Sequence, residues 1–276
     1  MIGSFEFNNI NSTDYNLVCK SVNRPILPTL RPRMTEVYGK SGLIDYGGGD
    51  YATKQITMHI GYIGTDYNEL RTRARNIAAW INTNQWAKLI INDETDKFYL
   101  ARVVEGVDFE TLNRVGEADI VFECQPFAYM TADTGLDYTW DEADFSWETE
   151  LTWLTSIPYV FTATGTESFV FNNPGTKEIN YKSPQGSKSQ IIITGTWTSF
   201  EITLNGKSLE YTEAGTGTVT IDNVEMEVDL GGVNKLAKID GDLDSFLTVI
   251  PGENTITITG TGLNVTVTID IRPMWL

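Results

Sequence analysis

The stretch Asn254–Ile271, NTITITGTGLNVTVTIDI, decides the fold class of the second half of the chain. Its isoleucines and valines stand at every second position, mostly with threonines between them, and this period of two is typical of a β-strand with one buried face. The stretch Ser199–Thr212, SFEITLNGKSLEYT, shows the same alternation around Asn205-Gly206, a dipeptide that favours a tight hairpin turn. Each stretch is therefore predicted to form a β-hairpin.

The rest of the second half follows the same pattern. From residue 159 onward, short Thr-, Ile- and Val-rich runs recur between turn signals, and no helical period is present. The turn signals are Asn173-Pro174-Gly175, Asn205-Gly206, Gly231-Gly232 and Pro251-Gly252. Regularly spaced strands of this kind predict a β-sandwich, which we expect to form a C-terminal domain over residues 134–276.

The first half, residues 1–133, is predicted to be a β domain with one helix. Ile56, Met58, Ile60 and Tyr62 alternate with polar residues as in a half-buried strand. Three further strand candidates are AKLIIND, KFYLARVVEGVDF and EADIVFECQPFAY. The whole chain is therefore predicted to be mainly β.

The one helix is predicted at about residues 66–83. Asp66 is a suitable N-cap, and Glu69 stands three residues later, as in a capping box. The apolar residues that follow lie at helical spacing and predict the buried face. They are Leu70, Ala74, Ile77, Ala78 and Ile81.

The segment 134–158 separates the two predicted domains and mixes acidic residues with Trp140, Phe145, Trp147 and Trp153. Two interpretations stay open. It is an acidic connecting segment whose aromatic rings pack inward, or its rings form a platform for a saccharide. Trp153, together with Trp197 in the predicted sandwich, is the candidate pair for saccharide contact.

The chain carries 37 acidic and 20 basic residues, a net charge of −17. Such a field repels phosphate groups, so we expect neither nucleic-acid binding nor binding to an anionic membrane. No run approaches the ~20 apolar residues needed to span a bilayer, and the N-terminus lacks the basic start and apolar stretch of a signal peptide. Cys19 and Cys124 are expected to be reduced core thiols. These features predict a soluble protein made in a cytoplasm.

Gly39-Lys40-Ser41 raises the question of a nucleotide phosphate site. A P-loop has a first glycine five positions before the glycine of its Gly-Lys pair. Here that pair begins at Gly39, and Met34 stands where the first glycine is needed. The next predicted helix begins more than twenty residues later, so no helix N-terminus is available to a phosphate. Gly47–Gly49 is interpreted instead as a hairpin tip, because glycine accepts positive φ angles without strain.

The remaining candidates for chemistry are weak. His59 falls on the polar face of its strand, which indicates a surface histidine and not a catalytic acid or base. Asp240, Asp242 and Asp244 resemble the start of a calcium loop, but Ser245 and Pro251 replace the glycine and the glutamate that such a loop needs. No cofactor, no metal and no enzymatic activity are predicted.

The order of motifs along the chain resembles the distal tail proteins of long-tailed, non-contractile phages, known mostly from phages of Gram-positive bacteria. The N-terminal motifs are FEFNNINSTDYNLVCKSV, VYGKSGLIDYGGGDYATKQITMHI, RNIAAWINTNQWAKLIINDETDKFYLARV and IVFECQPFAY. The C-terminal motifs are FNNPGTKEINYKSP, FLTVIPGENTITITG and RPMWL. The chain departs from the family at Gly39–Gly42, where Gly-Lys-Ser-Gly replaces a frequent Gly-Arg-Asp-Gly.

This resemblance implies a structural protein of the virion. The N-terminal domain of the family resembles a tail-tube fold and closes into a hexameric ring, and its C-terminal sandwich resembles galectins and carbohydrate-binding modules. The expected partners are other copies of the chain, the tail tube protein, the tail-tip or tail-associated protein, and receptor-binding or baseplate proteins. The expected location is the distal tail tip of a phage made in the host cytoplasm.

The Gly-rich region also supplies a candidate subunit interface. Tyr38, Leu43, Tyr46 and Tyr51 flank the glycines around Gly48, which is a large apolar content for a loop. Either this region reaches a neighbouring subunit, or the tyrosines pack on their own domain. The alternative function, from a different class, is a carbohydrate-binding module that contacts host cell-wall saccharides through the C-terminal domain.

Overall fold

The structure is a computed structural model that describes residues 3–63, 67–107, 109–112, 115–132, 134, 159–240 and 246–276. The chain divides into two compact units, Met1–Ala128 with Leu276, and Tyr129–Trp275. The boundary expected after residue 133 lies a few residues beyond this division. Among the described residues, strands dominate and one α-helix is present, α1 (Tyr67–Ile81), so the prediction of a mainly β protein with one helix is confirmed.

The first unit contains one main antiparallel sheet. Its strands are, in chain order, β1 (Phe5–Phe7), β2 (Ile10–Asn11), β3 (Val18–Asn23), β4 (Leu30–Arg31), β5 (Met34–Glu36), β6 (Leu43–Asp45), β7 (Asp50–Tyr51), β8 (Lys54–Ile63), β9 (Ala87–Ile91), β10 (Glu94–Val103), β11 (Phe109–Leu112) and β12 (Val115–Cys124). The order across the sheet is β2-β1-β9-β10-β12-β8-β3, with β11 paired to β12. Strands β4 to β7 form two separate two-stranded ladders, β4 with β7 and β5 with β6.

The longest pairing in this sheet joins β8 to β12 and explains the alternation in the sequence. Ile56, Met58 and Ile60 on β8 are fully buried, while the residues between them face outward. Their neighbours across the pair, such as Phe122 opposite Ile56, are buried as well. Burial of these aliphatic and aromatic side chains stabilises the unit by about 1.5–3 kcal/mol for each large side chain.

Helix α1 is attached to the sheet by a tryptophan that the sequence pattern did not select. The Trp80 ring lies 5.7 Å from Phe5 and 4.9 Å from Tyr15, and its Nε1–H donates to the Phe7 carbonyl at 3.0 Å. Leu70, Ile77 and Ile81 are buried as predicted. Ala78 is exposed, so its assignment to the buried face is wrong. The proposed N-cap, Asp66, lies outside the described residues.

The second unit contains two antiparallel sheets. The remaining strands of the chain are β13 (Ala128–Met130), β14 (Val160–Ala163), β15 (Glu167–Asn173), β16 (Ser189–Trp197), β17 (Ser199–Leu204), β18 (Lys207–Tyr211), β19 (Gly215–Asp222), β20 (Glu227–Leu230), β21 (Val233–Asn234), β22 (Ile239–Asp240), β23 (Gly252–Thr261), β24 (Asn264–Ile271) and β25 (Met274–Trp275), of which β13 and β25 belong to neither of these two sheets. One sheet has the order β14-β24-β16-β19-β20-β21, and the other has the order β15-β23-β17-β18-β22. The two quoted stretches form the hairpins β17–β18 and β23–β24.

The two sheets enclose an aromatic and aliphatic core. Phe161 of the first sheet stacks on Phe169 of the second with ring centroids 4.5 Å apart. Alternate residues of β23 and β24, including Ile256, Ile258 and Val267, are buried. This unit is a β-sandwich, as the spacing of strands and turns predicts.

Candidate functional site

The main candidate is the excursion that leaves the sheet between β3 and β8, residues 24–53, called the arm below. Its inner ladder pairs Leu30 with Tyr51 and Arg31 with Asp50. Its outer ladder pairs β5 with β6 across three rungs. The arm is therefore a long β-excursion held by few backbone hydrogen bonds.

The arm exposes its apolar side chains. Every residue from 31 to 40 is exposed, in contrast to the alternating burial of the sheet. The large exposed apolar side chains of the arm are Ile26, Leu27, Leu30, Met34, Val37, Tyr38, Leu43 and Tyr46. A concentration of exposed apolar surface of this size in one segment is typical of a protein–protein contact.

The predicted interface residues fall into two groups. Tyr38 is fully exposed, Leu43 and Tyr46 are 56% and 68% exposed, and Gly48 is exposed beside them. Tyr51 is half-buried, and its ring meets Phe127 of the same unit edge-on at 5.5 Å. The arm thus brings four of the five residues to its surface, and Tyr51 packs on its own unit.

The glycines occupy a different place from the one predicted. The outermost turn runs through residues 37–42, where the Lys40 amide donates to the Val37 carbonyl at 3.1 Å. Gly47–Gly49 joins β6 to β7 instead, with the Gly47 amide bonded to Asp45 Oδ1 at 2.9 Å. The prediction of a tip at Gly47–Gly49 is therefore wrong. Gly39-Lys40-Ser41 lies in a turn between two strands, which is not the strand-to-helix setting of a P-loop.

The arm does not share the strongly acidic character of the chain as a whole. Its net charge is +1, whereas the whole chain carries −17. Its charged residues are Arg24, Arg31, Arg33 and Lys40, against Glu36, Asp45 and Asp50. The arm therefore combines an exposed apolar surface with a slight positive charge.

The sequence analysis did not predict all of the exposed apolar residues of the arm. Ile26, Leu27, Leu30 and Met34 are exposed but were not proposed as interface residues. The run RPILPTLRPRM contains three prolines, which lack an amide hydrogen and hinder pairing into a central strand. That pattern was the available sign that these apolar residues lie outside the core.

The saccharide candidates do not form a platform in the described structure. Trp197 is 4% exposed, its ring lies 5.7 Å from Phe200 and 6.3 Å from Tyr211, and its Nε1–H donates to the Glu213 carbonyl at 2.9 Å. The prediction of Trp197 as a saccharide contact is wrong, because its faces are enclosed in the core. Trp153 lies outside the described residues.

The metal and acid–base candidates are likewise isolated. Asp240 is exposed on β22 opposite Glu210, while Asp242 and Asp244 lie outside the described residues. Within the described ranges, no group of acidic, histidine or cysteine side chains is arranged to hold a metal ion. His59 lies on the outer face of β8 and its Nδ1 is 2.5 Å from Asp119 Oδ1, a surface pair across two strands.

The two cysteines are separate buried thiols. Burial raises the pKa of the Cys124 thiol to about 12, so this thiol stays protonated and unreactive at neutral pH. Across the described segments, no helix is long and apolar enough to span a membrane.

Comparison with known proteins identifies the class of this fold. Residues 10–124 match the family model described as phage tail protein RIFT-related domain. This range contains the whole arm and most of the first unit. No curated protein matches the sequence. The first unit therefore contains a region similar to this phage tail protein domain.

Solved structures extend the likeness to the whole chain. The Dit protein of phage SPP1, described as a paradigm of the hub adsorption apparatus in phages that infect Gram-positive bacteria, shares 14% identity. The match covers 99% of each chain with a TM-score of 0.71. Two structures of the phage p2 baseplate in its activated conformation share 10% identity at a TM-score of 0.45. The strontium form matches over 98% of this chain and 97% of the other, and the calcium form over 99% and 98%.

The resemblance predicted from the sequence motifs is thus confirmed. Residues 10–124 match a phage tail protein family, and the chain as a whole has the fold of the SPP1 distal tail protein.

Proposed function

We propose that this chain forms a hexameric ring at the distal end of a phage tail, where it joins the tail tube to the tail-tip, baseplate and receptor-binding proteins. Its role is structural and not enzymatic, and its place is the virion after synthesis in the host cytoplasm. The observation that carries the proposal is an exposed apolar arm within a domain that matches a phage tail protein family. The fold shared with the SPP1 hub protein supports it.

The arm supplies the contact between neighbouring subunits. Tyr38, Leu43 and Tyr46 carry their side chains into solvent, and full burial of one such side chain contributes about 1.5–3 kcal/mol. Allowing for the ordering of the interface, three of them contribute about 3–5 kcal/mol to each contact. That energy corresponds to about a hundredfold to several thousandfold in the association constant.

Charge selects the surface on which the arm docks. The arm is slightly positive, and the rest of the chain is strongly negative. Two copies meeting by their acidic surfaces repel each other, whereas an arm meeting the acidic body of a neighbour does not. A head-to-tail contact of this kind repeats around a closed ring, since each subunit gives one arm and receives one.

The direct test removes the apolar side chains of the arm while leaving its backbone in place. In the triple variant Tyr38→Ser, Leu43→Ser and Tyr46→Ser, the association measured by sedimentation velocity should weaken by about a hundredfold or more. The matched control is Val170→Ser with Val233→Ser, since these valines are 43% and 60% exposed on strands of the second unit.

The control should assemble as the wild type does. Equal association of wild type and triple variant would show that the arm is not the contact. Equal loss in the triple variant and in the control would show that general surface apolarity, and not the arm, drives association.

A further inference from the structure

The two ends of the arm meet at one aromatic ring. Arg24 follows the last residue of β3, and Lys54 is the first residue of β8. The Lys54 Nζ lies 4.7 Å from the centroid of the Tyr99 ring, and the Arg24 Cζ lies 6.0 Å from it. Arg24 Nη1 also lies 3.5 Å from the Tyr99 hydroxyl. A cation within about 6 Å of an aromatic ring is attracted by its quadrupole.

Tyr99 is anchored in the sheet and not in the arm. It stands on β10 opposite Leu89 of β9, and its side chain is 5% exposed. Burial raises the pKa of its phenol to about 12, so the ring is neutral across the physiological range. The ring is therefore an uncharged surface, anchored in the sheet, that both ends of the arm can contact.

Lys54 is an unusual lysine because 5% of its surface is exposed. Burial is the largest cause that lowers the pKa of its ammonium group. Cys124 and Glu94 act in the opposite direction, and the positive charge of Arg24 lowers the pKa further, so the two cations repel each other at the ring that both face. Among the contacts of the described residues, the Tyr99 ring is the partner that faces the ammonium. Since a desolvated cation gains more from an aromatic ring than an exposed one, this contact is stronger than a surface cation–π pair.

Arg24 adds a second attachment at the outgoing end. Its guanidinium reaches Glu94 at 3.0 Å and Asp93 at 3.3 Å, in the turn between β9 and β10 that leads to Tyr99. At the returning end, Thr53 Oγ1 lies 3.0 Å from Glu123 Oε1, one residue before Lys54. Both ends of the arm are thus tied to the sheet within one or two residues of where the arm begins and ends.

We propose that Tyr99 is a positioning residue for the arm, whose ring holds Arg24 and Lys54 together and so fixes the root of the arm on the sheet. This rests on the proposed function, in which the arm contacts a neighbouring subunit. An arm fixed at its root loses less conformational freedom when it docks, which strengthens the contact without adding any surface to it. The ring at residue 99 then influences subunit association from inside its own subunit.

The test measures the arm itself, in protein diluted until light scattering gives the mass of one chain. Amide hydrogen exchange is followed in the inner ladder, at the Ala52 amide, which donates to the Thr29 carbonyl at 2.8 Å, in wild type, Tyr99→Leu and Tyr99→Phe. Tyr99→Leu should speed exchange about tenfold to a hundredfold, because it removes the ring that both cations face. Tyr99→Phe keeps the ring and should stay within about twofold of wild type.

The matched control is Phe98→Leu, the same kind of change on the neighbouring residue of β10. Phe98 is buried and faces Lys88 at 5.0 Å, a cation–π pair away from the arm. Lys54→Met is the second variant, which keeps Tyr99 and the volume of the lysine stem and should speed exchange in the arm as well. If Tyr99→Leu and Lys54→Met change exchange no more than Phe98→Leu does, Tyr99 does not position the arm.

Association is then measured separately at high concentration. A faster-exchanging arm together with weaker association supports the inference as a whole. A faster-exchanging arm with unchanged association keeps the role of Tyr99 at the root and contradicts the role of the arm in the ring. The two failures are therefore distinguishable.

Discussion

Replacement of Trp197 by alanine tests whether this tryptophan is a core residue or part of a saccharide-binding surface. The structure buries this ring edge-to-face against Phe200 and Tyr211, which stack on each other, and its Nε1–H donates to the Glu213 carbonyl. Truncation of a buried tryptophan costs about 3–5 kcal/mol, and the lost hydrogen bond adds about 0.5–1.5 kcal/mol. The variant Trp197→Ala is thus expected to lose about 4–6 kcal/mol, a large share of the 5–15 kcal/mol typical of a domain.

The assay is equilibrium unfolding in urea, followed by near-ultraviolet circular dichroism. Trp197→Ala should lower the midpoint of the transition of the second unit, and Trp197→Phe should lower it less, since the phenyl ring keeps most of the packing. Trp86→Ala is the comparison, because Trp86 is half-buried in the first unit with Arg102 4.5 Å above its ring. It should cost about 1 kcal/mol.

The refuting result is a Trp197→Ala variant that unfolds at the same urea concentration as the wild type. If that variant also lost binding to cell-wall fragments, Trp197 would lie on a saccharide surface and the core described above would be wrong. Loss of stability without any change in saccharide binding agrees with the structure.

Two further predictions concern the first unit. A Cβ at Gly116 would lie 2.3 Å from the Tyr62 ring, so Gly116→Ala should destabilise the unit by about 1–3 kcal/mol in thermal unfolding. The control Gly106→Ala should have little effect, because no atom lies within 4 Å of the Cβ position at Gly106. Equal loss of stability in the two variants would contradict the packing of Gly116 against Tyr62. Burial raises the pKa of Cys124 from 9.0 to about 12, so the folded chain keeps a proton that the unfolded chain loses. The free energy of unfolding should then fall above about pH 9, and this thiol should contribute about 1.4 kcal/mol per pH unit to that fall. Cys124→Ala should remove this contribution to the pH dependence of stability. A pH dependence that is the same in wild type and Cys124→Ala would contradict the raised pKa of this thiol.

The regular parts of the fold could be predicted because they follow local rules. The stretch Asn254–Ile271 became the hairpin β23–β24, since side chains in a strand alternate between two faces and one face of this hairpin is buried. The turn at Asn205-Gly206 joins β17 and β18, and both residues have the positive φ angles that this dipeptide tolerates. The helix was located to within about two residues at each end.

The errors lie where tertiary packing decides. Ala78 is apolar and correctly spaced, but Trp80 and Ile81 fill the contact with the sheet, and the alanine is left in solvent. Gly47–Gly49 was placed at a tip because glycine favours turns. A Cβ at Gly49 would lie 2.9 Å from the Arg31 carbonyl, which shows that close approach of two chain segments is one use of this glycine.

The arm shows how far the candidate site could be predicted from the sequence. From the sequence, its apolar residues belong to a loop that either reaches a neighbouring subunit or packs on its own domain, and periodicity cannot decide between the two. The fold answers this within the described residues, because Ile26, Tyr38 and Tyr46 remain exposed after the unit has formed its core. The root at Tyr99 could not be predicted either, since it depends on three residues that are far apart in sequence meeting at one ring.

The central claim is that the arm closes copies of this chain into a ring, and the mass of the purified protein in solution tests it most directly. Light scattering over a range of concentrations, with negative-stain images of the same peak, should show assembly from the 30.8 kDa chain to a closed hexamer with a central hole. The Tyr38→Ser, Leu43→Ser, Tyr46→Ser variant should remain at the mass of one chain over the same range. A wild type that stays at the mass of one chain throughout, or a variant that assembles equally well, would contradict the account.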